Sequence, residues 1–343
     1  MLTDPSAQST ATRSRQPATL PWWLLAWTFY VVCCLMHLRF SLWLVRQREA
    51  VFGATSFAEF MPVLVIAIAC GLIIWIAMQL RTSHRPRVIA GYWLLWLLAA
   101  AINDRFLTFS INEYFHYPQY AILALLVARA IDPQRSRWYV GRILFWVTLM
   151  GMGDELLQYT WITISYSEYL DFNDFIVNLV AAFAGVLLYY GPANSNSSPA
   201  TQARPVLEYL VASCIAVAVL AGLQTGRIVP SPTQQVPPGG VLQLADGSHT
   251  FCLQRGPDFY GAWQNGPRHG RYYVMPPIAG FLSMLLLGTI FSSFSRHRPT
   301  TMPSPHTPVR TGPGAPHQSP DPQRPGGMPP APAMPPPDAS STP

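Results

Sequence analysis

Eight apolar runs, most of them long enough to cross a bilayer, dominate this chain. They lie near residues 20–43, 60–80, 88–105, 118–132, 138–161, 174–190, 206–224 and 275–294. A hydrocarbon core about 30 Å thick takes roughly 20 apolar residues as a helix, and a helix satisfies its own backbone in lipid. The expected fold is therefore all-α, a polytopic transmembrane helix bundle of about eight spans. The third run, Val88 to Ile102, is the shortest and reaches membrane length only by extending through Asn103 to Phe106.

Composition agrees: 50% of the residues are hydrophobic and 11% are charged, against about 25% charged in an ordinary soluble domain. The formal charge is +6, and every basic residue is an arginine. The absence of lysine excludes a Schiff base, a Walker A loop and a lysine general base. The arginines sit beside the apolar runs, and no recognition module accompanies them, so the partner they imply is the lipid bilayer and not a nucleic acid. Five cysteines, at positions 33, 34, 70, 214 and 252, give neither a disulfide framework nor a CxxC metal pattern.

Arg13 and Arg15 precede an apolar run that continues from Leu20 to about Val45, too long for a signal peptide, so it reads as an uncleaved first span. Arg81, Arg85, Arg87, Arg135, Arg137, Arg142, Arg204, Arg296 and Arg298 mark alternate loops as cytoplasmic. Arg46 and Arg48, and the arginines of the long loop before the last span, dilute the signal. The overall balance places both termini in the cytoplasm and the chain in the cell membrane.

The chain then divides into a cytoplasmic N-terminal segment (1–19), two spans (20–87), a central membrane core (88–191), a cytoplasmic loop with the seventh span (192–225), an extracytoplasmic loop (226–273), the eighth span (274–295) and a tail (296–343). Val241-Leu242-Gln243-Leu244, Asp246-Gly247 and Thr250-Phe251-Cys252-Leu253 predict a small β-hairpin in the extracytoplasmic loop. Its aromatic residues Phe259, Tyr260, Trp263, Tyr272 and Tyr273 suit anchoring at the headgroups. The tail from Pro299, rich in Pro, Gly, Ser and Ala, predicts disorder with polyproline II character.

Ionisable residues at membrane depth cost several kcal/mol and are the default place to seek function. Here they come from three segments at one level. Glu155 and Gln158, three residues apart, share a face at the end of the fifth span; Asp174 and Asn178, four apart, share a face at the start of the sixth. Before the fourth span, Pro118 suits a first helical position and places His116 just ahead of the helix, with Tyr120 following. Each has an ordinary reading. Asp174 suits a helix N-cap or first turn, Asn178 an interhelical hydrogen bond, and His116 an interface histidine. Asp104-Arg105 reads as an interfacial ion pair. Glu155 resists such a reading, because it lies a turn inside an apolar run and needs a partner.

At these residues the chain resembles the VanZ-like family, multi-pass membrane proteins named after a member associated with teicoplanin resistance. The resemblance covers roughly residues 88–191. His116, Tyr117 and Tyr120 match a KxxHFxxY-type segment, Glu155 and Gln158 an ExxQ, and Asp174 and Asn178 a DxxxN, with small residues Ala181 and Gly185 after it. Glu113 stands where the family often has lysine, and the arginine usual between ExxQ and DxxxN is missing, since 159–173 contains no basic residue. An acid replaces a base and the loop has lost its cation, which argues against an anion at this site.

The resemblance implies a cell-envelope protein that influences glycopeptide susceptibility through an outer-facing polar pocket of His116, Tyr120, Glu155, Gln158, Asp174 and Asn178. Its partner would be an envelope precursor or the glycopeptide. The alternative is an intramembrane enzyme acting on a lipid-linked or cell-wall precursor, with Glu155 and His116 as its acid–base pair. His116, Glu155 and Asp174 are metal-ligand types, but HExxH and paired-His spacings are missing, so neither a metal nor another cofactor is expected.

Overall fold

The computed structural model describes residues 19–51, 53–83, 85–135, 139–165, 167–191 and 205–296, without the side chains of 37–65, 111 and 112. Residues 1–300 form one unit and 301–343 another, and the second lies outside the described residues. So do the proline-rich tail, Arg13, Arg15, Arg137, Arg204 and Arg298. Eight α-helices carry the described fold: α1 (Leu20–Val51), α2 (Gly53–Thr82), α3 (Pro86–Phe106), α4 (His116–Ile131), α5 (Val140–Leu157), α6 (Phe172–Tyr190), α7 (Val206–Gln224) and α8 (Pro277–Ser292). Among the described residues, four helical stretches are long and apolar enough to cross a membrane: Pro86–Phe106, Phe172–Tyr190, Val206–Gln224 and Pro277–Arg296. The others fall short for visible reasons. The described apolar parts of the first two are Leu20–Met36 and Ile66–Thr82, α4 has 16 residues, and α5 carries Arg142, Asp154 and Glu155.

Helix α6 is the axis of the bundle. It is apolar almost all round, and a helix of that kind is stable only when covered on every side; α3, α4, α5 and α8 surround it, leaving only Leu188 outside the buried set. Small residues bring α4 closest. A Cβ on Gly185 would lie 2.2 Å from the backbone oxygen of Ala121 and 2.9 Å from Ala124 Cβ, so the two helices meet backbone to backbone, as small-residue packing allows. On the α8 side the rings of Phe183 and Phe291 stack with centroids 4.0 Å apart. Trp96 Nε1 donates to the Val180 carbonyl at 3.0 Å from α3.

Polar ties close the end of the bundle where α6 finishes. Gln79 Nε2 donates to the Leu187 carbonyl and receives Trp93 Nε1. Tyr190 donates to the Asp132 carboxylate at 2.7 Å. Helix α7 is largely exposed, as a lipid-facing helix is, apart from Glu208. That carboxylate accepts from Arg142 Nε at 2.7 Å and Trp146 Nε1 at 3.1 Å, which fastens α7 to α5.

A β layer covers the opposite end, and it is larger than the single hairpin expected from the sequence. Strands β2 (Val241–Gln243) and β3 (His249–Cys252) form that hairpin, but β1 (Ile228–Val229) adds in parallel to β3. Strands β4 (Trp263–Gly266) and β5 (Gly270–Tyr273) make a second, separate one. The short β1 and the polar Trp263-Gln264-Asn265-Gly266 carry too little alternation to stand out. Tyr159, beyond α5, donates to the Cys252 carbonyl at 2.8 Å. Gly240 has φ +74°, and a Cβ there would strike the Tyr159 ring and the Cys252 carbonyl at 2.6–2.7 Å, so only glycine fits. Asn173 donates to the carbonyls of Leu107 and Tyr273 and accepts from the Met275 amide. One side chain thus ties α6 to the chain leaving α3 and to the segment entering α8.

Candidate functional site

Three helix ends build the site beneath the β layer. Between α3 and α4, Glu113 accepts from the backbone amides of Phe109 and Ser110 at 2.9–3.1 Å. This capping box holds a 3-10 turn over Ile111–Phe115. The turn starts α4 earlier than Pro118 suggested: His116 is the first residue of the helix, and Pro118 occupies its first turn, where the missing N–H costs nothing. Helix α5 ends in a widened π-turn, Gln158–Ile162, a form frequent at functional sites. The N-cap of α6 is Asp171, which accepts from the Asn173 amide at 2.8 Å. That leaves Asp174 as a first-turn acid, with its carboxylate directed elsewhere.

All six residues expected at the site are brought together at this end. His116 Nδ1 lies 2.8 Å from Asn178 Oδ1, and Asn178 Nδ2 donates to Glu155 Oε1 at 3.3 Å. Gln158 Nε2 approaches the same carboxylate oxygen at 3.5 Å. His116 Nδ1 is 3.8 Å from Glu155 Oε1, while Nε2 faces Asp174 Oδ2 at 4.0 Å. The His116 and Tyr120 rings run parallel, 5.9 Å apart. His116, Glu155, Asn178 and Asp174 are at most 9% exposed. His116, from α4, is itself a member of the network between α5 and α6.

Two further residues belong here. Asp154, fully buried, accepts from the Tyr120 hydroxyl at 2.8 Å and Gln119 Nε2 at 3.3 Å. Its Oδ1, like Asp174 Oδ1, is buried without a hydrogen-bond partner among the described residues. The signal for Asp154 was present in the sequence: it lies one residue deeper in the apolar run than Glu155. Asp104 and Arg105, expected to pair, do not. Asp104 takes Arg268 at 2.8 Å, His269 at 3.4 Å and the Tyr114 hydroxyl, and Arg105 lies over the Phe106 ring. Adjacent residues on a helix point about 100° apart, and the β4–β5 loop supplies the nearer cation.

The charge balance is one-sided. Among the described residues neither Glu155 nor Asp174 meets an arginine, and His116 is the one potentially cationic group against either. On the β-layer side, burial followed by the nearby Asp174 charge pushes both the Glu113 and Asp171 carboxyls upward. Such a site suits a cation or protons, not an anion. No family model, curated protein or solved structure matches this chain.

Proposed function

We propose that the chain is an eight-span protein of the cell envelope, VanZ-like in type, whose outward end acts on an envelope component. The observation that carries this reading is the convergence of His116, Glu155, Gln158, Asp174 and Asn178, from three separate segments, into one buried hydrogen-bonded cluster at the β-layer end. Arg81, Arg85, Arg87, Arg135, Arg142 and Arg296 fall at the other end, which the positive-inside rule assigns to the cytoplasm together with both termini. Helices α1, α2, α4 and α5 complete the eight spans by packing alongside the four apolar ones.

The outward end offers a surface suited to an amphiphile. An apolar groove of about 560 Å³ between α3 and α8, lined by Leu95, Leu98, Leu286 and Leu287, shares Phe106 and Trp263 with a polar pocket at Arg105, His269 and Arg271. An acyl or isoprenoid chain with an anionic head matches that pairing. In a glycopeptide-sensitive Gram-positive host, the wild type should raise resistance to teicoplanin, and the Glu155→Gln, Asp174→Asn double variant at equal membrane level should not. Equal susceptibility of cells with and without the wild-type chain would remove the reading.

A second reading, an intramembrane enzyme on a lipid-linked precursor, draws on the 3.8 Å approach of His116 to Glu155, a pair that can pass a proton through one small adjustment. Turnover of such precursors by purified protein, lost in Glu155→Gln, would decide for it.

A further inference from the structure

We propose that His116, Glu155 and Asp174 bind one divalent transition-metal cation, zinc by ligand type, at the centre of the cluster. The sidedness of this site rests on the envelope reading above; the binding itself does not.

The three residues come from α4, α5 and α6, and one ligand atom from each lies within 4.8 Å of the others. Ligands at about 2.0–2.2 Å around one tetrahedral zinc are about 3.4 Å apart, so side-chain adjustments of about 1 Å close the shell.

The hydrogen bonds fix the histidine for this task. Glu155 Oε1 is an acceptor, so the amide of Asn178 turns its Nδ2 to Glu155 and its Oδ1 to His116. Nδ1 of His116 is then the protonated nitrogen, and Nε2 presents its lone pair toward Asp174 Oδ2. At 4.0 Å no direct hydrogen bond joins Nε2 to Asp174 Oδ2. The two atoms are spaced for a cation between them. Holding a ligating histidine by its other nitrogen is also how metal sites orient their imidazoles.

Charge points the same way. Among the described residues neither carboxylate has an arginine beside it, so a bound dication would balance the charge the two carry once ionised, and Asp174 Oδ1, buried without a hydrogen-bond partner among those residues, supplies a further oxygen at the same place. The ligands are nearly closed to solvent, so the occupant is small. Three protein ligands leave a fourth position for a water or a substrate oxygen. A mixed nitrogen and oxygen set favours zinc-like ions over Mg²⁺ or Ca²⁺. The spacing patterns of known zinc motifs miss this site because each ligand comes from a different helix.

The test is a Co²⁺ titration of the chelator-treated, purified full chain in detergent micelles, followed by its visible absorption and by displacement with Zn²⁺. The wild type and Asp104→Asn should take up one Co²⁺ per chain with a ligand-field spectrum that Zn²⁺ abolishes. Asp174→Asn and His116→Gln should each weaken binding at least tenfold. No saturable spectrum from the folded wild type overturns the proposal, and so does wild-type affinity in both variants. Should those variants fail to fold, the wild-type titration decides alone. Stoichiometric binding without antibiotic protection upholds the site and sinks the envelope reading, and protection without metal uptake does the reverse.

Discussion

Tyr120 shows how closely single groups are balanced at the site. Its hydroxyl donates to Asp154 Oδ2, and among the described residues Asp154 Oδ1 has no hydrogen-bond partner, so Tyr120→Phe removes a hydrogen bond from a fully buried carboxylate that has few. A loss of about 1–3 kcal/mol is expected, read as a lowered thermal midpoint in detergent; an unchanged midpoint would mean that this hydrogen bond adds nothing to stability. Glu113 allows a pH experiment. Burial and the nearby Asp174 hold its proton more tightly in the folded chain than its ordinary value of 4.5 implies. The folded state therefore binds more protons than the unfolded one. That contribution to stability is complete below the ordinary value and lost as pH rises through the raised one. Glu113→Gln, which keeps an oxygen for the Phe109 and Ser110 amides but cannot ionise, should make thermal stability fall less steeply from about pH 5 to about pH 8. Parallel curves for the two proteins would refute the shift. At this scale the sequence was informative where side chains break an apolar pattern, as Glu155 and Asn178 do. It showed Asp154 beside Glu155 but not which of the two adjacent acids meets Tyr120, because that depends on how α4 docks.

Helix packing depends on a few small residues. Gly185 lets α6 approach α4 until a Cβ would overlap the Ala121 carbonyl, a backbone atom that no rotamer change can move aside. Gly185→Ala should therefore push the helices apart, with a cost of about 3 kcal/mol or more. Since α4 carries His116 and α6 carries Asp174 and Asn178, it should also disturb the cluster 7–11 residues away along α6. Reduced yield of folded protein, with a lowered midpoint in what remains, would report it; a wild-type midpoint would show that the helices can separate freely. Gly185 and Ala181 were legible as small residues at a helical spacing, and the apolar character of α6 announced its burial. The caps were harder to read. Pro118 suggested a helix start two residues late because a 3-10 turn, held by Glu113, nucleates α4 ahead of it. The β layer was half legible: the β2–β3 hairpin has alternation and an Asp-Gly turn, while β1 is two residues long and pairs with β3 through a long connection.

For the whole molecule, the bundle has two unlike ends. One is closed by Gln79, Asp132 and the Arg142–Glu208 pair; the other holds the acidic cluster beneath a layer fastened by Tyr159 and Asn173. Helix alternation puts the arginine-bearing loops at the first end, so the positive-inside rule makes a single statement about both the layer and the cluster. A cysteine placed at the exposed Ala245, in the turn between β2 and β3, tests it. Ala245→Cys should react with a membrane-impermeant maleimide in intact cells above the wild-type background, which Cys33, Cys34, Cys70, Cys214 and Cys252 set. Ser304→Cys, in the proline-rich tail, should react only after permeabilisation. The reverse pattern would place the layer in the cytoplasm and turn the cluster toward cytoplasmic ligands. Labelling of both positions in intact cells would mean that α8, the helix between them, does not traverse the bilayer.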